Sequence, residues 1–246
     1  MDQQAPQEFI LEAFADPPSV RDVVKGILHT IFFHRFFPSV APRSREVLDV
    51  TLPYVADAEL DTMIERRVDE LAQQLDAERI NNYNNSSAKT ATGGSRGGGG
   101  GAAGLGIGGV GGGGGGGDGR GTITVQFFEK KRRKAWYGGR DEEVCWESWT
   151  VKVTVAEPRT ESERAKVRAA MAQTLTATVM KLVTCVNSHK DHIPPITTSE
   201  ANPFPYQIHV SPSSGGGGAG GGAGDAATPD AAAQARTGWT TRMGIY

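Results

Sequence analysis

Apolar residues recur along this chain at two periods. Between Ser19 and Pro38, Val20, Val23, Val24, Ile27, Leu28, Ile31 and Phe32 follow the i, i+3, i+4, i+7 rule of an amphipathic helix. Pro17-Pro18 ends a short strand over 9–15. Ser19 is placed to cap the helix, and Asp22 meets the positive end of its dipole. The stripe is wide, which predicts a core helix ending near Phe36. A second helix follows Asp57, another capping residue. It carries Leu60, Met63, Ile64, Val68, Leu71 and Leu75 on one stripe, with Glu59, Glu65, Arg66, Arg67 and Glu70 largely off it. A third opens at the capping box Thr160-Glu161-Ser162-Glu163 and runs to about Asn187, with Val167, Met171, Leu175, Val179, Leu182, Val183 and Val186 as its seam.

The other period is two. Residues 46–55 alternate, with Leu48, Val50, Leu52 and Tyr54 on one face; Pro53 assigns them to a sheet edge or a bulge. In 122–129, Ile123, Val125 and Phe127 oppose Thr122, Thr124 and Gln126. In 146–155, Trp149, Val151, Val153 and Val155 oppose Ser148, Thr150, Lys152 and Thr154. Strands that are apolar on one side and polar on the other belong to an antiparallel sheet covered on one face. Trp146 falls on the polar side, so a loop or a neighbouring chain should cover it. A last strand is predicted at 206–210. Helices stacked on one face of an antiparallel sheet make an α+β fold.

Composition breaks this pattern twice. Of the 33 glycines, most lie in 93–121 and 215–224. The first tract, with the polar residues before it, reads as a flexible insertion, since it cannot bury enough apolar surface to offset chain entropy. The organisation predicted is one domain over 8–212 interrupted at 83–121, a linker over 213–225 and a tail over 226–246. The formal charge of −2 gives no global field for nucleic acid or an acidic membrane. The N-terminal segment has acids and no basic stretch, unlike a signal peptide. The longest apolar runs are broken by Lys25, His29, His34 and Arg35, short of the roughly 20 residues of a membrane span. A soluble intracellular protein is expected.

Little of the chain points to catalysis. The glycine tract has no GK[ST], the sequence has no GxSxG, and Cys145 and Cys185 form no CxxC. His189-Lys190-Asp191-His192 reads as a polar helix end, with imidazole near the last carbonyls, rather than as a metal site. His29 and His34 read as structural, and His209 has no evident partner. No catalytic residue, cofactor or metal is expected. The informative segment is the loop between the third and fourth predicted strands, which is basic at Lys130, Lys131, Arg132, Arg133 and Lys134 and acidic at Asp141, Glu142 and Glu143. Trp136-Tyr137 lies near its middle, followed by Gly138-Gly139. A buried aromatic removes about 150–250 Å² from water. At about 25 cal/mol per Å² that is roughly 4–6 kcal/mol as an upper figure. Rings held in a glycine-flanked loop forgo that gain, which favours a binding finger at Trp136 and Tyr137, with Lys130, Lys131, Arg132, Arg133 and Lys134 beside it to orient an acidic protein partner. RNA binding by the basic run together with Arg96 and Arg120 is the alternative.

Several blocks carry a family resemblance. FFEKKRRKAW at 127–136, followed by a short acidic loop and CWESWTVKV at 145–153, resembles the autophagy-related protein 101 family, HORMA-domain subunits of the autophagy initiation complex. VKGILHTIFFHR at 24–35, residues 48–51 with Tyr54-Val55, and the order His192-Ile193-Pro194, Thr197, Ser199-Glu200 are similar to further segments of that family. The resemblance implies a HORMA-like fold, an antiparallel sheet backed by three helices, and a non-catalytic adaptor. It implies pairing with a second HORMA protein, autophagy-related protein 13, and its stabilisation. It also implies service to the autophagy-initiating kinase and its scaffold, and a cytoplasmic protein recruited to the phagophore assembly site. In the family an exposed tryptophan–phenylalanine pair recruits downstream factors. Trp136 matches the tryptophan; where the family has Trp-Pro-Phe, Tyr137 follows directly and Gly138 comes next. A HORMA protein that closes its C-terminal segment over a peptide is the other adaptor reading.

Overall fold

The computed structural model describes residues 5–38, 41–91, 119–132, 141–197 and 202–212. Nine elements follow in order among them: β1 (Gln7–Ala15), α1 (Val20–Arg35), β2 (Pro42–Val47), β3 (Val50–Val55), α2 (Ala58–Ala91), β4 (Gly119–Arg132), β5 (Asp141–Val155), α3 (Glu161–Ser188) and β6 (Tyr206–Pro212). β1, β5, β4 and β6 form one sheet in that order, and β2 pairs with β3 in a second. The fold is α+β with three helices. The main sheet is mixed rather than antiparallel, because β1 runs parallel to β5, from Gln7 beside Glu147 to Ala15 beside Val155. Alternating apolar residues look the same in either direction, so the pattern could not set the sense of this pair.

The helices share one face of that sheet. Leu11, Ile123, Val125, Phe127, Trp149, Val151, Val153 and Ile208 point into the core, while Glu8, Ile10, Glu12 and Lys152 lie exposed on the other side. α1 lies between the sheet and the β2–β3 hairpin, so nearly its whole circumference is buried, from Val20 to Phe32. Its Phe32 ring meets Phe127 at 5.5 Å and Tyr206 at 4.8 Å. Gly26 sets the approach on the hairpin side: a Cβ there would stand 2.7 Å from Leu52 Cδ1. Gly121 does the same where α2 crosses β4, 2.8 Å from Leu71 Cδ1.

The helix starts differ. Thr160 and Glu163 make the full reciprocal capping box of α3, and Asp57 Oδ1 accepts from Leu60 N at 2.8 Å at the start of α2. Ser19 makes no side-chain cap; Asp16 Oδ1 instead accepts from Ser19 N at 3.0 Å, holding the Pro17-Pro18 turn. Along α2, Leu60, Ile64, Val68, Leu71, Ala72 and Leu75 are buried, but Met63 is not.

Two expected boundaries move. Residues 46–55 are not one strand but the end of a hairpin, because Leu48 and Asp49 both take positive φ, 50° and 64°. Two consecutive left-handed residues make the turn whose twist suits a two-residue hairpin. The expected insertion at 83–121 is shorter at both ends, with α2 continuing to Ala91 and β4 beginning at Gly119. No Gly or Pro occurs between Asp57 and Gly93 to stop the helix earlier. Residues 92–118, the linker and the tail lie outside the described residues. Among the described residues one helix, α3, is long and apolar enough to cross a membrane by length and composition alone. It packs along β1 with Met171, Leu175, Leu182 and Val186 buried, as a core helix does.

Between α1 and α2, His29 is buried with Nε2 3.1 Å from Asp61 Oδ1 and its ring 4.3 Å from Tyr54. Lys25 Nζ lies 2.8 Å from the same carboxylate and 2.6 Å from Glu65. Burial drives the His29 imidazole down to about 4 from 6.5, against the pull of Asp61. A depressed imidazole is neutral in the folded state, so its contribution is full above the unfolded value of 6.5 and is lost as pH falls through 4. Between pH 7 and pH 4 the parent should lose about 3 kcal/mol more stability than His29→Gln, read by urea unfolding at both pH values. Gly26→Val should lower the unfolding free energy by about 1–3 kcal/mol in the same assay, as expected for overpacking.

Candidate functional site

The β4–β5 hairpin outruns the sheet that carries it. β6 pairs with β4 only as far as Phe127, opposite Tyr206, and β1 meets β5 only from Glu147 onward. Beyond that line, Phe128 to Arg132 pair with Cys145 to Asp141 alone. The result is a two-stranded arm, and residues 133–140 join its two strands. A β-bulge marks where the arm leaves the body: Phe127 faces Glu147 and Phe128 faces Cys145, so Trp146 has no partner on β4. A bulge bends its strand and sharpens the local twist, which sets the direction of whatever lies beyond it.

A buried carboxylate sits on the body side of that bend. Glu147 is fully buried and accepts from Arg35 Nε at 2.8 and 2.9 Å and from His192 Nε2 at 2.6 Å. The Trp149 indole N–H donates to it as well. A carboxylate only accepts, so His192 carries its proton on Nε2. Arg35 belongs to the last turn of α1 and also donates to the carbonyls of His34 and His189, at 3.2 and 3.4 Å. The end of α1, the exit of α3 and β5 therefore meet on one charge.

An aromatic cluster covers the other side of the bulge. Trp146 packs against Phe204 at 5.2 Å, His192 at 5.6 Å and Phe127 at 5.9 Å, and Phe204 against Phe37 at 5.2 Å. The chain's own loop between α3 and β6 thus covers Trp146. Its buried indole N–H meets no acceptor. Phe128 N donates to Pro205 O at 2.8 Å, so the same loop holds the first residue of the arm.

The sequence motif around the loop divides between arm and tip. Lys130 faces Glu143, Lys131 faces Glu142 and Arg132 faces Asp141, while Lys131 Nζ also lies 3.2 Å from Glu129. Lys130 and Lys131 are thus in register with Glu143 and Glu142, and opposite-charge cross-strand pairs contribute roughly 0.2–1 kcal/mol each. This compensation takes away much of the field on which RNA binding relied. Arg133, Lys134, Trp136 and Tyr137 lie outside the described residues. Of the histidines, His189 Nδ1 stands 3.1 Å from Cys185 O at the helix end, and His209 meets Gln207 at 3.1 Å. Among the described residues no group of three or more His, Cys, Asp or Glu is placed to hold a metal ion.

Glu147, Arg35 and His192 were not singled out as a unit by the sequence. One signal was present: Glu147 shares the parity of Trp149, Val151 and Val153, so the strand pattern puts a carboxylate on the core face. A buried carboxylate requires a cation, and Arg35 ends an otherwise apolar helix stripe. Nothing local links either residue to His192.

Comparison with known proteins gives the family. The family described as Autophagy-related protein 101 matches residues 12–200. Relatives of that name include one from Schizosaccharomyces pombe, 25% identical over 194 residues, covering 78% of this chain and 80% of that protein. One from Arabidopsis thaliana is 22% identical over 226 residues, covering 85% and 86%. One from Xenopus tropicalis is 24% identical over 189 residues, covering 77% and 75%.

Removing one partner of a buried ion pair leaves a charge without compensation. Arg35→Ala should lower stability by about 3–5 kcal/mol in urea unfolding. Arg35→Met combined with Glu147→Gln should regain part of that loss, since no net charge then stays buried.

Proposed function

Since the chain belongs to the autophagy-related protein 101 family and so has an autophagy-related role, we propose that it is a HORMA-type, non-catalytic adaptor of the autophagy-initiating kinase complex. In this reading one HORMA-like domain over 8–212 pairs with a second HORMA protein, autophagy-related protein 13, and stabilises it. The linker at 213–225 and the tail at 226–246 follow that domain. The pair serves the initiating kinase and its scaffold in the cytoplasm and at the phagophore assembly site. Trp136 and Tyr137 act as the finger that recruits downstream factors.

The observation that carries this reading is the arm. Residues 133–140 connect the two strands of a ribbon that leaves the four-stranded body at a bulge. A ribbon that extends past its sheet suits a connecting segment whose role is contact with another protein. The register assigns Lys130, Lys131 and Arg132 chiefly to the ladder of the arm. Affinity then comes mainly from covering two aromatic rings, with Lys130, Lys131, Arg132, Arg133 and Lys134 orienting an acidic partner.

Trp136→Ala with Tyr137→Ala should leave co-purification with the partner HORMA protein unchanged. Recruitment of later autophagy factors should fall by at least tenfold, about the loss of one strong anchor residue. Undiminished recruitment by the folded double variant would contradict the finger. Failure of the unsubstituted chain to co-purify with the partner would contradict the pairing.

A further inference from the structure

We propose that His192 and Phe204, in the connection between α3 and β6, are positioning residues for the β4–β5 arm. This inference rests on the finger reading for its biological meaning, but not for its geometry. Both residues pack on Trp146 at the bend. His192 reaches Glu147 at 2.6 Å and packs its ring 5.6 Å from Trp146. Phe204, almost fully buried, packs 5.2 Å from Trp146, and the next residue, Pro205, accepts from Phe128 N. Glu147 and Trp146 are the paired and unpaired residues of the bulge, and Phe128 is the first residue of the arm.

Past Phe127 no further strand of the sheet pairs with the arm among the described residues. A two-stranded ribbon is marginal by itself. Its direction is therefore fixed where it is rooted. Three of the groups at that root come from the α3–β6 connection: an imidazole, a phenyl ring and a carbonyl. Glu147 keeps Arg35 and Trp149 when His192 is removed, so the carboxylate stays compensated and the body keeps its charge pairing. Phe204 contributes packing to Trp146 and Phe37 without a polar bond from its side chain. Loss of either residue should free the bend more than it weakens the body.

Spin labels on the full-length chain test this. One label replaces Lys131 on the arm and one replaces Lys152 on the open face of β5, with Cys145 and Cys185 changed to Ala. The distance distribution is read by pulsed electron resonance. His192→Ala and Phe204→Ala should each broaden the distribution and shift its main peak. Leu175→Ala, which removes core packing from α3, should destabilise the protein and leave the distribution as in the parent. His192→Asn and Phe204→Leu, milder changes, should shift it in the same sense. A parent-like distribution in either the His192 or the Phe204 series overturns the proposal, as does equal broadening in Leu175→Ala. The distance reports the arm whether or not Trp136 and Tyr137 recruit anything, so failure here is separable from failure of the finger.

Discussion

A single buried carboxylate organises the junction of this fold. Moving an ion out of water carries a penalty of several kcal/mol, which only close, well-aligned partners offset. Glu147 finds them in the guanidinium of Arg35, the imidazole of His192 and the indole of Trp149. These groups come from the last turn of α1, the exit of α3 and β5 itself. Of these, Arg35 is the buried cation, and it cannot move far without leaving the carboxylate uncompensated. Apolar packing gives the sheet and helices their bulk, but it is non-directional. The directional constraint is ionic, and it lies one residue from the bulge where the β4–β5 arm departs.

The rest of the surface keeps the body closed at one edge and exposed at the arm. Thr178 Oγ1 donates to Glu12 O at 2.6 Å and Lys181 Nζ to Ile10 O at 2.8 Å, so α3 side chains occupy outward carbonyls of the edge strand β1. Such cover discourages another strand from adding there. On the arm, Lys130, Lys131 and Arg132 of the basic run lie opposite Glu143, Glu142 and Asp141 in backbone register.

Much of the fold was legible because its signals are periodic. The α3 seam and its capping box, the stripe of α2, and the inward faces of β4 and β5 each follow from spacing alone. What the sequence concealed depended on contacts between distant segments. The parallel β1–β5 pairing joins residues more than a hundred positions apart, and alternation is blind to its sense. The β2–β3 hairpin hides behind apolar alternation because two ordinary residues, Leu48 and Asp49, adopt the left-handed conformation usually left to glycine or asparagine. The candidate site divides in the same way. Trp136-Tyr137 stood out by composition and position, and the fate of Trp146 followed from its parity. The Glu147–Arg35–His192 unit did not, because two of its three members are placed by packing.

The body is fixed by packing and by the buried Glu147–Arg35 pair, and the proposed finger lies in the segment that joins the two strands of the arm. The most direct measurement places a photo-crosslinking benzoylphenylalanine at position 136 of the full-length chain in cells. Crosslinks to a second protein of autophagosome formation, lost when the label is moved to the outer sheet face at Lys152, are the expected result. Crosslinks confined to the chain's own body, around Phe37, Trp146 and Phe204, would contradict a finger that faces its partners.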